Sequence, residues 1–327
     1  MRILLLTIAC FGLVLSACQT KPQSPAELAQ TDPGLRLSSY DDLRSVPMVE
    51  RIKPINQFGL SRLRNFDKAP DYAAYQPSPE ELKMFDEYYH LLPKVFRQVM
   101  EEKLVAIYWI SNFKGGGMSS WVMDEQGKLL NVLYLNPEIL HQDLSQWIAY
   151  RDNSSFKFDA NLGAIKVEVT SEKKALLHTL CHESAHIYDY QKQATPYIET
   201  MFRKANSPPS SDFTQGVWQN INQPLPQYAV IAGPDFSVYG LGKTLDFARA
   251  ESYYQSLANS PFSSIYGAQN WAEDFAESAT WHYFEKRFGI HYSIRIIHAG
   301  KADFTVSPQS NPLVQRRHAV LDAIFQE

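Results

Sequence analysis

The sequence predicts an α+β fold, with strands concentrated in the first half and helices in the second. Three observations point to it. Runs rich in β-branched and aromatic residues at 104–110, 119–122, 129–135 and 164–169 read as strands. From Ser171 to Thr195 no Gly or Pro interrupts an apolar pattern of helical spacing. The strands are grouped ahead of the helices instead of alternating with them, which separates α+β from α/β. With 45% hydrophobic and 13% aromatic residues among 327, the chain can bury a substantial core. No internal repeat is visible.

The first element is not part of the fold. Arg2 precedes an apolar run from Ile3 to Val14 that closes on Leu15-Ser16-Ala17-Cys18. A membrane span needs about 20 apolar residues, so this shorter run suits a signal peptide over 1–17. Its ending resembles the bacterial lipobox. That resemblance implies a lipid on Cys18, which becomes the first residue, and Gln19 in place of Asp implies sorting to the outer membrane. The implied location is the bacterial cell envelope, with the membrane as a partner through the lipid. An ordinary signal peptide or an uncleaved anchor is the alternative. The cysteines are Cys10, Cys18 and Cys181, so cleavage and lipidation would leave only Cys181 and no internal disulfide. The net charge of −4 and the lack of a Lys/Arg run exclude a polyanion-binding field, so nucleic acid is not an expected partner.

Residues 18–35, rich in Gln, Pro and Ser, read as a flexible tether, and 36–90 as an N-terminal extension. Within it, 36–77 reads as irregular with one short helix. Ser78, Pro79 and Glu81 then spell a capping box that opens a helix carrying Leu82, Phe85, Tyr88 and Tyr89 on one side. Pro93 breaks it and starts another helix to Glu102. Leu104–Ile110 is a buried strand, and Gly115-Gly116-Gly117 a loop. Strands 119–122 and 129–135 are joined by the turn Asp124–Gly127, and Asn136-Pro137 ends the second. Ala164–Val169 alternates like a half-buried strand. Ser171 is the expected N-cap of the next helix, with Glu172 in its first turn. Ala205–Gln227 reads as a long loop and Thr244–Leu257 as a helix. A further helix spans Asn270–Phe288, with Asn270 and Glu273 spaced as a capping box. Asn311-Pro312 opens a last helix to Phe325.

The most informative stretch lies in the central helix: His182-Glu183-Ser184-Ala185-His186, an H-E-x-x-H pattern. Positions i and i+4 share a helix face, so both imidazoles can reach one metal ion. Glu183 sits beside that ion, not on it, where a carboxylate can take a proton from zinc-bound water. Cys181 faces another side and reads as a core residue. A catalytic zinc takes a third protein ligand. The chain after His186 is IYDYQKQAT, which lacks the G-x-x-H continuation of metzincins. Glu273 and Glu277, four apart on one helix face, are the best candidates. One would bind the ion and the other accept a hydrogen bond from a ligand imidazole.

These residues resemble a family. The H-E-x-x-H motif followed by Asp189-Tyr190, and then Tyr266-Gly267-Ala268-Gln269-Asn270-Trp271-Ala272-Glu273-Asp274-Phe275-Ala276-Glu277, look like the gluzincin metallopeptidases of the anthrax lethal factor type, Y-G-x-x-N-x-A-E-x-F-A-E. The resemblance implies a zincin-like domain over 91–327, a small mixed sheet packed on the motif helix and a mostly helical C-terminal half. It implies one Zn²⁺ held by His182, His186 and Glu273, with Glu277 beside them and Asp189 supporting the metal helix. It makes Glu183 the general base and Tyr266 the donor to the tetrahedral intermediate. The 87 positions from His186 to Glu273 exceed the family spacing, which implies an insertion within about 191–262.

Other candidates fit less well. His178 and His186 stand about 12 Å apart along a helix axis, too far to share one ion, so His178 reads as a structural or rim residue. His282 turns away from the Glu273 face, and Glu251 lacks a partner pattern. The expected function is zinc-dependent hydrolysis of a peptide or protein substrate in the envelope, with the substrate strand adding to 119–122 or 164–169. A cell-wall peptide amidase would use the same site. A non-catalytic binding lipoprotein with this fold would be expected to have lost Glu183.

Overall fold

A computed structural model describes residues 25–157, 163–196, 211–229, 237–298 and 303–326. Cys18 and the expected signal segment lie outside the described residues. The architecture is mixed α+β, with several small sheets among the helices. The larger sheet has the order β1-β2-β4-β3, built from β1 (Ala73–Tyr75), β2 (Leu104–Ser111), β3 (Gly117–Met123) and β4 (Leu129–Leu135). β2 and β4 run parallel, while β1 and β3 pair antiparallel to their neighbours. The chain leaves β2 through the glycine loop, forms β3 at the edge, and returns through a tight turn to fill the place between them.

Both faces of this sheet are covered, which is why β2 and β4 read as almost unbroken apolar runs. Leu104, Ile107, Trp109, Leu133 and Leu135 enter the main core. Val105, Ala106, Tyr108, Ile110, Val132 and Tyr134 enter a second cluster with Leu60 and Leu63. The irregularity between Leu104 and Ala106 in the β2–β4 ladder accounts for Val105 and Ala106 sharing one side.

The N-terminal region is more ordered than its composition suggests. The expected tether is instead helical over α1 (Pro25–Thr31) and turns at Pro33–Leu35. Ala29 and Leu35 pack on Trp121 and Met123 of β3, so this half of the segment gains apolar burial that a free linker would lack. The region 36–77 carries short 3₁₀ turns, as irregular structure would, plus α2 (Gln57–Asp67) and β1. Arg62 of α2 pairs with Asp32 at 2.9 Å.

The capping box at Ser78 opens α3 (Pro79–Tyr89) as expected, and α4 (Lys94–Lys103) follows Pro93. Two helices were not anticipated: α5 (Glu138–His141) and α6 (Leu144–Asn153). After β5 (Phe156–Lys157) and β6 (Gly163–Val169) comes α7 (Ala175–Lys192), the motif helix. It starts three residues later than expected, with Lys174 instead of Ser171 at the N-cap. Ser171 folds a turn onto its own chain, its Oγ accepting from the Lys173 N–H, and Lys174 forms an antiparallel bridge with Asp143. Those residues are occupied before the helix can begin. α7 is buried around its whole circumference from Ala175 to Ala185, packed among α3, α4, α6 and the later helix Trp271–Phe288 and against β3 and β4.

Of the expected insertion, 197–210 and 230–236 lie outside the described residues. The rest holds a small hairpin of β7 (Trp218–Asn220) and β8 (Gln223–Pro224), in place of a plain loop. The helix expected from Thr244 begins later: β9 (Leu245–Asp246) pairs with β5, and α8 spans Ala250–Ala258. α9 (Trp271–Phe288) matches its expected bounds closely. The C-terminal third is less helical than expected, because β10 (Tyr292–His298) and β11 (Phe304–Val306) join β6 in an antiparallel sheet of order β11-β10-β6. The last helix is split into α10 (Pro312–Gln315) and α11 (His318–Phe325). The break lets Arg317 turn inward and form a two-pronged pair with buried Asp274 of α9, at 2.9 and 2.7 Å. Among the described residues, no helix is long and apolar enough to cross a membrane.

Candidate metal centre

α7 and α9 pack side by side, and their facing surfaces build the site. The register of α9 is set at its first residue. The Asn270 side chain accepts from the N–H groups of Ala272 and Glu273, both at 3.0 Å. The expected capping box does not close, because the Glu273 carboxylate turns toward α7. There its Oε2 lies 3.1 Å from His182 Nε2 and 3.4 Å from His186 Nε2. The two Nε2 atoms are themselves 3.1 Å apart. Three ligand atoms thus form one tight triangle that can hold a metal ion. The site favours positive charge. Against burial, which lowers it, Glu273 and Glu277 push His182 up to about 10. Burial would raise Glu273, but the two imidazoles hold it well below the usual carboxylate range.

Glu277, one turn further along α9, is fully buried behind the triangle. Its Oε1 lies 3.2 Å from His182 Nδ1 and 3.2 Å from His178 Nε2. Both are ion-pair distances. A carboxylate at Nδ1 favours the tautomer whose Nε2 lone pair is free for a metal. Glu277 Oε2 accepts from Arg151 Nη1 at 2.8 Å and Trp281 Nε1 at 3.2 Å. His178 is thus a buried residue that shares Glu277 with His182.

Glu183 points the other way, toward β3. Its Oε2 accepts the Ser119 backbone N–H at 2.7 Å. The glycine loop makes this approach possible. A Cβ on Gly117 would stand 2.9 Å from Thr179 Cγ2, 3.0 Å from Glu183 Cγ and 3.1 Å from the Tyr134 carbonyl oxygen. We expect Gly117→Ala to cost about 1–3 kcal/mol through this overpacking, read as a lower urea midpoint at unchanged slope.

Tyr266 stacks on His182 with ring centroids 5.6 Å apart. Burial, then the negative charge of Glu273, holds its hydroxyl well above tyrosine's ordinary value, so it remains a proton donor. Beside it opens a narrow cleft lined by Gly116, Gly117, Trp147, Glu183, Tyr239 and Tyr266. Tyr239 comes from within the expected insertion and stacks on Trp147 at 5.7 Å.

The remaining candidates have other surroundings. Asp189 lies on the same helix as the two histidines, and its two carboxylate oxygens accept from the N–H and hydroxyl of Thr195, both at 2.6 Å, which fastens the exit of α7. Cys181 is fully buried, and burial pushes its thiol up to about 12. His282 pairs with Asp322 of α11 at 2.7 Å, and Glu251 accepts from Gln255 on its own helix. Sequence reasoning missed Arg151, Ser119 and Tyr239. Arg151 did leave a signal: it continues the core-facing pattern Leu144, Trp147, Ile148, where a charge is unexpected. Ser119 acts through its backbone and leaves none. Compared with protein-family models, curated proteins and solved structures, the chain matches none.

Proposed function

We propose that this chain is a zinc-dependent metallopeptidase with a zincin-like fold of the gluzincin kind, anchored to the bacterial envelope through Cys18. The observation that carries this reading is the triangle of His182 Nε2, His186 Nε2 and Glu273 Oε2, with sides of 3.1, 3.1 and 3.4 Å. Nitrogen and oxygen ligands about 2.0–2.1 Å from a tetrahedral zinc stand about 3.3–3.4 Å from one another. Two imidazoles and one carboxylate also suit zinc better than calcium or magnesium, which take oxygen ligands.

When bound, zinc supplies a water of lowered pKa and polarises the substrate carbonyl. The residues of the chain do the rest. Glu183, held by the Ser119 N–H, takes a proton and returns it to the leaving amine. The Tyr266 hydroxyl donates to the oxygen on which charge develops. Of the two strands expected to receive an extended peptide, both are sheet edges, but only β3 reaches Glu183.

Purified protein loaded with zinc should cleave casein or a peptide library, and a chelator should stop it. The same preparation is offered purified muropeptides. Cleavage of muropeptides alone would replace this reading with a cell-wall amidase. Cleavage of neither substrate by metal-loaded protein would leave a binding lipoprotein in its place.

A further inference from the structure

We infer that Arg151 is a positioning residue for the metal site: it clamps the Glu277 carboxylate so that Oε1 faces both imidazoles behind the metal triangle. The inference rests on the metallopeptidase reading for its purpose, but its test reads metal binding and needs no substrate.

Arg151, Asp152 and Glu277 are each completely buried. The guanidinium acts as a rigid fork. Nη1 donates to Glu277 Oε2 at 2.8 Å, while Nε donates to Asp152 Oδ1 at 2.9 Å. Asp152 is fixed from its other side by the Tyr254 hydroxyl, at 3.1 Å. The fork therefore ties α6 and α8 to the one turn of α9 that backs His182. With Oε2 taken by Arg151 and Trp281, only Oε1 is left for His178 and His182. Among the described residues the third nitrogen, Nη2, has no hydrogen-bond partner, and the guanidinium carbon stands 5.5 Å from the centre of the Tyr266 ring. One side chain thus touches the carboxylate behind the metal triangle and lies against the ring of the expected oxyanion donor.

A purely structural staple at this place is hard to justify. Burying an arginine with two carboxylates incurs a large desolvation cost, and apolar side chains of similar size commonly do as well or better for stability. Outer partners of ligand imidazoles, by contrast, regularly set metal affinity. Lysine would keep the charge but could not span Glu277 and Asp152 with a planar fork.

Zinc affinity is measured by competition with a chromophoric chelator for wild type, Arg151→Lys, Glu277→Gln and the double variant, each checked for a cooperative melt. The expected result is a loss of about 10–100-fold for each single variant, with the double variant no worse than Glu277→Gln alone, because Arg151 acts through that carboxylate. A folded Arg151→Lys that binds zinc like wild type would overturn the proposal, as would losses that multiply in the double variant. Should Arg151→Lys not fold, nitrogen NMR of the wild-type protein decides. Arg151 side-chain resonances that move on adding zinc support the clamp, and resonances indifferent to zinc refute it.

Discussion

Glu183→Gln should leave one zinc bound per chain and lower peptide hydrolysis by about 10²–10⁴-fold, the range that a positioned acid–base group contributes. The size of this effect follows from what the substitution preserves. The amide oxygen of glutamine can still accept the Ser119 N–H, so the 2.7 Å contact with β3 and the packing against Gly117 survive. Glu183 is not part of the ligand triangle. What is lost is a group able to take and return a proton. The measurement pairs metal content with turnover of the best library peptide. Activity within tenfold of wild type, with zinc bound, would remove Glu183 from the mechanism.

Glu273→Ala should have the largest effect on metal binding. It removes one of three ligand atoms and leaves two imidazoles, so zinc affinity should fall by more than the roughly 10–100-fold cost of losing an outer partner. Hydrolysis should fall with it. The variant should still fold, because the Asn270 cap, the Asp274–Arg317 pair and the apolar face of α9 do not depend on this carboxylate. Titration of zinc into chelator-treated protein gives the affinity directly. If Glu273→Ala bound zinc as tightly as wild type, the third ligand would have to be another group.

The contrast between these residues and the ones that sequence reasoning missed is physical. His182, Glu183 and His186 were legible because helical geometry alone relates them, and α7 covers the motif as its unbroken apolar pattern predicts, although it begins later. Glu273 lies 91 residues from His182. Only its own motif, with Glu277 one turn on and Tyr266 seven before, marked it. Arg151 has no local relation to the site and reaches it through a tertiary contact across 126 residues. Ser119 contributes an N–H that every residue but proline possesses.

The fold divides the same way. β2 and β4 were readable because both their faces are buried, and α3 because its cap is encoded within four residues. β10 alternates Tyr292, Ile294 and Ile296 inward but sits among segments read as helical, and its longer ladder is with β6, far away in sequence. α1 and the late start of α7 are settled by contacts with β3 and with the entry to α6, which no local pattern announces.

In the proposed site two imidazoles and one carboxylate meet around a single zinc ion. X-ray absorption at the zinc edge, on protein whose metal content has been measured, tests it most directly. One zinc per chain is expected, with nitrogen and oxygen neighbours at about 2.0–2.1 Å and an imidazole signature for two of them that falls to one in His186→Ala. Protein that binds no zinc, or a zinc shell unchanged by His186→Ala and Glu273→Ala, would contradict it.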